Sequence, residues 1–157
     1  MSPQSSARRG KREGRSRYLF KITVVGPVDS LLEEVLQVFS KRVVTVDGIS
    51  ISAADHATDS SDVKALIMSP RHDALDIMLS LTFKGANAAI IVLREVDPEA
   101  ETYYRNEVRV KAGELPTRVF SVGPDFNETK RCEILRTLDG LLEEILASRQ
   151  TKHPVER

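Results

Sequence analysis

YLFKITVVGPVDSLLEEVLQVF, residues 18–39, joins an apolar strand to an amphipathic helix through a turn that begins with glycine. Apolar and β-branched residues dominate 18–25, which predicts a strand buried on both faces of a parallel sheet. Gly26 and Pro27 end this strand. From there the apolar residues recur at helical spacing, at Val28, Leu31, Leu32, Val35, Leu36 and Phe39. Because α/β folds bind phosphate between a strand and a helix N-terminus, the function depends on the residues after Gly26.

The composition is typical of a soluble globular domain. With 157 residues, the chain is long enough for one domain with its own core and short for two. No apolar run approaches the roughly 20 residues that cross a bilayer. The first residues lack the apolar segment of a secretion signal, and the single cysteine, Cys132, cannot form an internal disulfide. We therefore expect a cytoplasmic protein without a transmembrane segment, with Cys132 as an ordinary helix residue.

The charge is distributed unevenly along the chain. Residues 1–17 contain six Lys or Arg and one Glu, a net charge of +5, so the remainder of this formally neutral chain carries −5. This stretch has no apolar periodicity, which predicts a disordered basic tail that could weakly contact anionic membrane or nucleic acid. We expect one α/β domain over residues 18–148 and a polar tail over 149–157.

Between residues 40 and 86 the pattern predicts a hairpin, a loop, a strand and a helix. Asp47-Gly48 is a hairpin turn signal with β-branched residues on both sides. Residues 56–62 are polar and predict a loop, and 63–68 predict a short strand. Ser69 as a cap and Pro70 at the first helical position predict a helix to Phe83 with Gly85 as its left-handed cap. This helix should bury Leu75, Met78, Leu79 and Thr82.

The second half of the chain alternates strands and helices. Residues 88–93, AAIIVL, predict a central parallel strand, and Asp97-Pro98 predicts the start of a helix to about residue 112. Residues 117–122 predict a further strand. The last helix, from Asn127, carries one apolar stripe, composed of Ile134, Leu138, Leu141, Leu142 and Ile145. This alternation indicates an open parallel α/β sheet, in which ligands bind at the carboxyl ends of the strands. The candidate turns are 26–30, 69–73 and 123–127.

These three turns, in this order, make the chain resemble a small Ras-like GTPase of the branch containing bacterial gliding-motility GTPases and their archaeal relatives. The resemblance covers about residues 17–147. It rests on KITVVGPVDS (21–30) where the P-loop begins, on GISISAADHA (48–57) at the first switch, and on ALIMSPRHDALDIMLSLTFKGANAAIIVL (65–93) at the second switch and the next strand. It implies a P-loop NTPase fold: three α/β/α layers around an open, mostly parallel sheet of about five to six strands.

The residues that the family uses to bind phosphate are missing here. A P-loop, GxxxxGK[ST], needs glycine for close amide approach, lysine for the phosphate charge and a hydroxyl for magnesium. Gly26 is present, but Leu31, Leu32 and Glu33 occupy the GK[ST] positions. A carboxylate about 4 Å from one phosphate charge costs on the order of 4 kcal/mol at an effective dielectric of about 20, roughly a thousandfold in affinity. Gly26 and Ser30 are therefore remnants of a phosphate site.

The start of the first helix also contains a capping signal. Ser30-Leu31-Leu32-Glu33 fits the S-x-x-E capping box, in which the serine hydroxyl and the glutamate carboxylate each accept from the other's backbone N–H. We expect this pair to satisfy amide donors that would otherwise meet a phosphate.

The second turn lacks the family's Asp-x-x-Gly-Gln, which holds magnesium and orients the attacking water. Met68, Arg71 and His72 stand there. His72 is a remote catalytic candidate because an imidazole can orient water, and the alternative is a surface loop histidine. Three hydroxyls near the first switch are candidates for a magnesium ligand or, equally, for polar strand residues: Thr45, Ser50 and Ser52.

The third turn keeps one residue of the family's Asn-Lys-x-Asp. Asp125 matches the aspartate that binds the guanine base, and a helix cap is the alternative that we favour. Only about 22 residues separate Asp125 from the end of the last helix, which leaves no room for the family's final strand and its base-binding loop.

Three hypotheses follow. The leading one is a pseudo-GTPase without hydrolysis, cofactor or metal that serves as a protein-interaction or scaffold module. Its partner would bind the switch-equivalent segments 50–62 and 69–73, and the resemblance implies a small adaptor of the roadblock type.

The alternative is a GTP-binding small GTPase with a non-standard P-loop and weak or slow hydrolysis, binding GTP or GDP with Mg²⁺ through Gly26, His72 and Asp125. A receiver-type phospho-acceptor domain is strongly disfavoured because Val25 and Met68 stand where it needs acids.

Overall fold

The computed structural model of the protein describes residues 15–152, with side chains described through residue 150. The strands are β1 (Ser16–Val25), β2 (Val44–Val46), β3 (Ile49–Ala57), β4 (Ser61–Pro70), β5 (Ala88–Leu93) and β6 (Thr117–Ser121). The helices are α1 (Asp29–Phe39), α2 (Asp76–Phe83), α3 (Pro98–Ala112) and α4 (Glu128–Lys152). Strand β1 begins two residues before the predicted boundary, and α4 continues into the predicted polar tail. The rest of both predicted tails, 1–14 and 153–157, lies outside the described residues.

The six strands form one open sheet in the order β2-β3-β4-β1-β5-β6. Strands β4, β1, β5 and β6 run parallel, whereas β3 is antiparallel to β4 and β2 is antiparallel to β3. The prediction of an open, mostly parallel α/β sheet is confirmed. Within residues 15–152, every helix is too short or too polar to cross a membrane.

Helices cover both faces of the sheet. On one face, α1 and α4 pack on alternate residues of the parallel strands, among them Phe20, Ile22 and Val24 of β1, each fully buried. On the other face, Phe83 of α2 and Val108 of α3 pack on β1, β5 and β6. Because successive strand residues point to opposite faces, the unbroken apolar runs of β1 and β5 supply both cores.

The β2–β3 hairpin is as predicted. Asp47 and Gly48 both have positive φ, 51° and 84°, as a two-residue turn between twisted antiparallel strands requires. The predicted loop at 56–62 is wrong in extent, since β3 continues to Ala57 and β4 starts at Ser61. Polar residues here lie on paired strands: Asp55 and Lys64 are register partners, and their side chains form an ion pair of 3.1 Å.

The predicted start of the second helix is wrong. Pro70 ends β4, in register with Ile49, and the Arg71 N–H extends this contact by donating to the Gly48 carbonyl at 2.8 Å. The helix therefore starts only at Asp76, after Leu75, with no side-chain cap. Leu75 is 68% exposed rather than buried, and only Thr82 of the predicted inward residues is fully covered.

The remaining helix ends follow the sequence signals. Asp97 caps α3 by accepting from the Ala100 N–H at 3.1 Å, and Gly85 has the positive φ, 77°, expected after a helix end. At the start of α4, the cap is Asn127, whose side chain accepts from the Lys130 N–H at 3.0 Å. The preference for Asp125 as this cap is therefore wrong.

Candidate functional site

Gly26 directly follows β1, at the edge of the sheet where the sequence places a phosphate. A Cβ at this residue would overlap the carbonyl oxygen of Val92 in β5 and would lie 3.3 Å from the Leu32 side chain. Glycine is therefore required because the neighbouring strand passes too close for any side chain. This packing accounts for Gly26 without a ligand.

The two leucines after this turn belong to the core. Leu31 and Leu32 are 1% and 3% exposed and pack in the α1–α4 core. Their backbone N–H groups both donate to the Val28 carbonyl at 3.1 Å. In a P-loop, these positions would present donors to a phosphate. Here they present apolar side chains to the interior.

The predicted Ser30–Glu33 capping box is wrong. The residue that precedes α1 is Val28, which makes no side-chain cap hydrogen bond, and Ser30 is an exposed residue inside the first turn. The helix starts at Asp29, two residues earlier than a cap at Ser30 would place it, because the turn from Gly26 to Val28 is only three residues long. Ser30 therefore cannot act as the cap, and Glu33 is free to contact other elements.

Asp29 is the first residue of α1, and its side chain contacts the turn after β4. Its Oδ1 lies 2.7 Å from His72 Nδ1, and both carboxylate oxygens accept from the His72 backbone N–H at 3.3 Å. The carboxylate sits in the first helical turn, where the helix dipole favours negative charge. Asp29 thus fixes the turn after β4 to the turn after β1, and an anion in the same place would meet a carboxylate.

Glu33 extends this connection to the hairpin. Its Oε1 accepts from Ser50 Oγ at 3.3 Å and lies 3.6 Å from Arg71 Nη1. Ser50 Oγ in turn lies 3.0 Å from Thr45 Oγ1, and Ser52 Oγ donates to the Leu36 carbonyl at 3.1 Å. The three candidate magnesium hydroxyls therefore all have partners within the chain.

We refer to Asp29, Glu33, Ser50, Arg71 and His72 as the acidic anchor. It joins α1, the hairpin and the turn after β4 into one network at the carboxyl edge of the sheet. Sequence reasoning missed it, since Asp29 and His72 are 43 residues apart and only the parallel pairing of β1 with β4 brings their turns together. The signal that could have found it is the spacing of Asp29 and Glu33, which places both acids on one face at the start of α1.

A pocket of about 210 Å³ lies beside the acidic anchor, between the turn after β1 and helices α2 and α3. Its lining includes Val25, Phe83, Tyr103, Tyr104 and Lys111. Lys111 is paired with Glu107 at 3.4 Å. Burial, followed by the nearby Tyr103, Glu107 and Asp29, raises the pKa of Tyr104, so its hydroxyl stays protonated at neutral pH. The pocket is lined by aromatic side chains, and the cations Lys111 and Arg71 in its lining are each paired with a glutamate.

Asp125 lies apart from the other predicted site residues. It follows β6, which is two strands from β1 in the sheet, and Gly123 with φ 86° precedes it. No hydrogen bond within residues 15–150 joins it to the turn at Gly26. The structure thus brings His72 to the first turn through Asp29, but it does not bring Asp125 there.

The residues at this edge do not fit a magnesium nucleotide. Asp29 and Glu33 would repel the phosphates, no lysine lies on the first turn of α1, and the nearby hydroxyls are engaged within the chain. Within the described part of the chain, no group of three or more His, Cys, Asp or Glu side chains could hold a metal ion.

A second polar cluster lies on the same face of the sheet, under α4. The His56 side chain is 15% exposed, with Nδ1 3.3 Å from Asp139 and Nε2 3.2 Å from Glu143. Arg15 clamps the neighbouring β3–β4 turn by pairing with Asp62 at 3.1 Å and donating to the carbonyls of Thr58 and Ser61. These contacts attach β3, β4 and α4 to one another, and sequence reasoning assigned them no role.

No protein-family model matches this sequence, and no curated protein does. The interpretation of the site therefore depends on its geometry and on the residues themselves.

Proposed function

We propose that this protein is a pseudo-GTPase: a Ras-like domain that does not bind or hydrolyse nucleotide and acts as a protein-interaction or scaffold module in the cytoplasm. The observation that supports the proposal is the start of α1, where Asp29 is held against His72 and Glu33 against Arg71. Each carboxylate within about 4 Å of a phosphate would cost on the order of 4 kcal/mol at an effective dielectric of about 20. Both terms oppose the binding of a phosphate at this turn.

The packing around the turn after β1 also supports the absence of nucleotide binding. Leu31 and Leu32 fill the core beneath the turn, and Gly26 packs against the β5 backbone. A phosphate-binding loop would have to lift away from β5 and expose both leucines to water. Exposing two buried leucines costs roughly 1.5–3 kcal/mol each, a cost that ligand binding would have to offset.

Isothermal titration calorimetry with GTP and GDP, with and without Mg²⁺, tests the absence of nucleotide binding. We expect no heat of binding for the full chain up to about millimolar nucleotide, a free energy weaker than about 4 kcal/mol. Micromolar binding would overturn the proposal and favour the alternative, a GTP-binding GTPase with a non-standard P-loop. The double variant Asp29→Asn, Glu33→Gln is the matched control, because it removes the repulsion and keeps the shape. Binding gained only by this variant would support the electrostatic argument.

The acidic anchor also bears on how a partner would bind. In this family, γ-phosphate contacts order the switch segments. Here the segments 50–62 and 69–73 are held by the chain itself, through Glu33 to Ser50, Asp29 to His72 and the hydrogen bond from Arg71 to Gly48. We propose that this face is permanently in its binding conformation, and that its affinity for a protein partner does not depend on nucleotide.

Nucleotide-independent partner binding can be tested by titrating the full chain with a purified roadblock-type adaptor, the partner class that the resemblance implies. We expect the same affinity within twofold with and without GTP and Mg²⁺. Asp29→Asn should weaken binding by releasing the His72 turn, whereas Asp76→Asn, the acid at the start of α2, should not. A nucleotide-dependent affinity would contradict the proposal.

A further inference from the structure

The pocket of about 210 Å³ beside the acidic anchor lies where the proposed partner face meets α2 and α3. Its lining includes Pro70, Arg71 and His72 of segment 69–73, and also Gly26, at the carboxyl end of β1. In open α/β sheets, ligands bind at this edge of the sheet. The pocket therefore lies where the fold offers a binding site, although the residues around it do not suit a nucleotide.

The volume of the pocket limits what it can hold. Sites for whole small-molecule ligands measure roughly 300–1,000 Å³, which exceeds the 210 Å³ found here. A cavity of about 150 Å³ is already large enough for a benzene molecule. The pocket therefore has room for one aromatic ring system and little more.

The walls of the pocket suit an aromatic ring. Phe83 is 2% exposed, and Lys111 Nζ lies 5.6 Å from the centre of its ring. Tyr103 and Tyr104 pack edge to face, with their ring centres 5.0 Å apart. Because edge-to-face pairs at this separation are favourable, Tyr104 holds the ring of Tyr103 in place, although Tyr103 is 61% exposed. An incoming ring thus meets an aromatic wall that is already in position.

The charges around the pocket indicate an uncharged occupant. Each basic side chain described in the lining has an acidic partner: Arg71 has Glu33 at 3.6 Å, His72 has Asp29 at 2.7 Å and Lys111 has Glu107 at 3.4 Å. A charged group that entered the pocket would lose water without finding a free counter-ion, which is costly. An uncharged ring avoids this cost.

Tyr104 adds one polar group to the pocket. Within residues 15–150 its hydroxyl has no hydrogen-bond partner, and burial, which raises the pKa of Tyr104, keeps this hydroxyl protonated at neutral pH. A protonated hydroxyl can donate to a carbonyl oxygen. The backbone carbonyl groups beside an aromatic residue of a protein supply such an acceptor close to the ring, whereas a plain ring has none.

We propose that this pocket receives an uncharged aromatic side chain of the protein partner. Aromatic side chains that fill a pocket are the anchors of many interfaces. The inference rests on the proposed function for the presence of a partner at segment 69–73. A side chain fits better than a free molecule, because one ring makes few contacts and binds weakly by itself. A ring carried by a partner is accompanied by contacts with Pro70, Arg71 and His72, which belong to the same face.

The probe that tests the pocket is N-acetyl-phenylalaninamide, an uncharged phenylalanine with an amide bond on each side. We expect its titration into the isotope-labelled full chain, without nucleotide, to shift the backbone amide NMR signals of Gly26, Leu79 and Glu107, which line the pocket. The signals of α4 should not move. Benzoate and benzamidinium have the size of benzamide but carry a charge, so each should bind at least about fivefold more weakly than benzamide.

Two substitutions in the lining of the pocket should weaken binding of the probe. Leu79→Trp fills the pocket from α2 and should raise the Kd at least about tenfold. Tyr103→Ala removes the exposed aromatic wall and should raise it about threefold or more. Val110→Ala is the matched control, because Val110 is on the same helix as Tyr103, is 72% exposed and lies outside the lining described for this pocket. Thermal unfolding shows that each variant is folded.

The proposal is overturned if the probe shifts no amide of the pocket, or if its Kd is unchanged in both folded lining variants. Binding of benzoate or benzamidinium as tight as that of benzamide would also overturn it. If benzamide binds and N-acetyl-phenylalaninamide does not, the pocket takes a free ring and not a side chain, and the proposal is wrong. Nucleotide binding detected by calorimetry would overturn the proposed function but would not change this titration, so the two can fail separately.

Discussion

The two faces of the sheet are built differently. Among residues 15–150, the α1–α4 face holds a cluster of 21 buried hydrophobic residues, whereas the α2–α3 face holds six. On the α1–α4 face, the acidic anchor and the His56 cluster also tie helices to β3 or to its hairpin. The second face instead has two apolar side chains of α2, Ile77 and Leu81, that are 68% and 52% exposed. We infer that the first face supplies most of the stability.

The largest expected effect is the loss of stability when a leucine in the α1–α4 core is shortened to alanine, compared with the same change on the other face of the sheet. Leu138→Ala removes a side chain that is 1% exposed in the α1–α4 core and should lower the free energy of unfolding by about 2–5 kcal/mol. Leu81→Ala, the same change at a residue of α2 that is 52% exposed, should alter it by less than about 0.5 kcal/mol, measured by urea unfolding. If the two substitutions lowered the free energy of unfolding equally, the α1–α4 face would not be the main source of stability.

The next effect concerns the turn that the sequence assigned to phosphate. Gly26→Ala places a methyl group against the Val92 carbonyl and should destabilise the fold by about 1–3 kcal/mol. Gly140→Ala is the matched control, because Gly140 lies within α4 with no atom within 4 Å of an added Cβ. That change should stabilise the fold by roughly 0.5–1 kcal/mol, since alanine is the better helix former. A neutral Gly26→Ala would show that the turn is not held against β5.

A smaller effect probes the acidic anchor. Asp29→Asn removes the charge at the helix start and weakens the contact with His72, and we expect a loss of about 0.5–1.5 kcal/mol in the free energy of unfolding. Amide hydrogen exchange should show faster exchange in the turn at residues 71–75 and unchanged exchange in α4. If α4 exchanges faster as well, Asp29 supports the whole domain rather than one turn.

The smallest effect is expected at the other polar cluster of the same face. His56→Gln removes the contacts with Asp139 and Glu143, both of which are more than half exposed, so the loss should be about 0.2–1 kcal/mol. His72→Gln, the other paired histidine, should leave contacts between β3 and α4 unchanged. A Cys pair that spans residues 56 and 139 on a Cys132→Ser background should form readily if the two segments are held as described.

Local sequence signals predicted most of the elements. The apolar runs of β1 and β5, the Asp47-Gly48 turn and the Asp97 cap each act through neighbouring residues, and the structure confirms them. The signals that failed are those that tertiary contacts override. Pro70 can open a helix, but pairing with Ile49 and the hydrogen bond from Arg71 to Gly48 keep it in the sheet. Ser30 and Glu33 form a capping motif in sequence, but a shorter turn places Ser30 inside the helix.

By itself the sequence determined that this is an α/β domain with an open, mostly parallel sheet, because strand and helix periodicity depend on which residues are apolar. It also determined that the residues a P-loop needs are missing after Gly26, because that depends on residue identity alone. Only the tertiary structure decided what takes their place. Asp29 meets His72, and Glu33 meets Ser50 and Arg71, because parallel pairing of β1 with β4 brings distant turns to one edge.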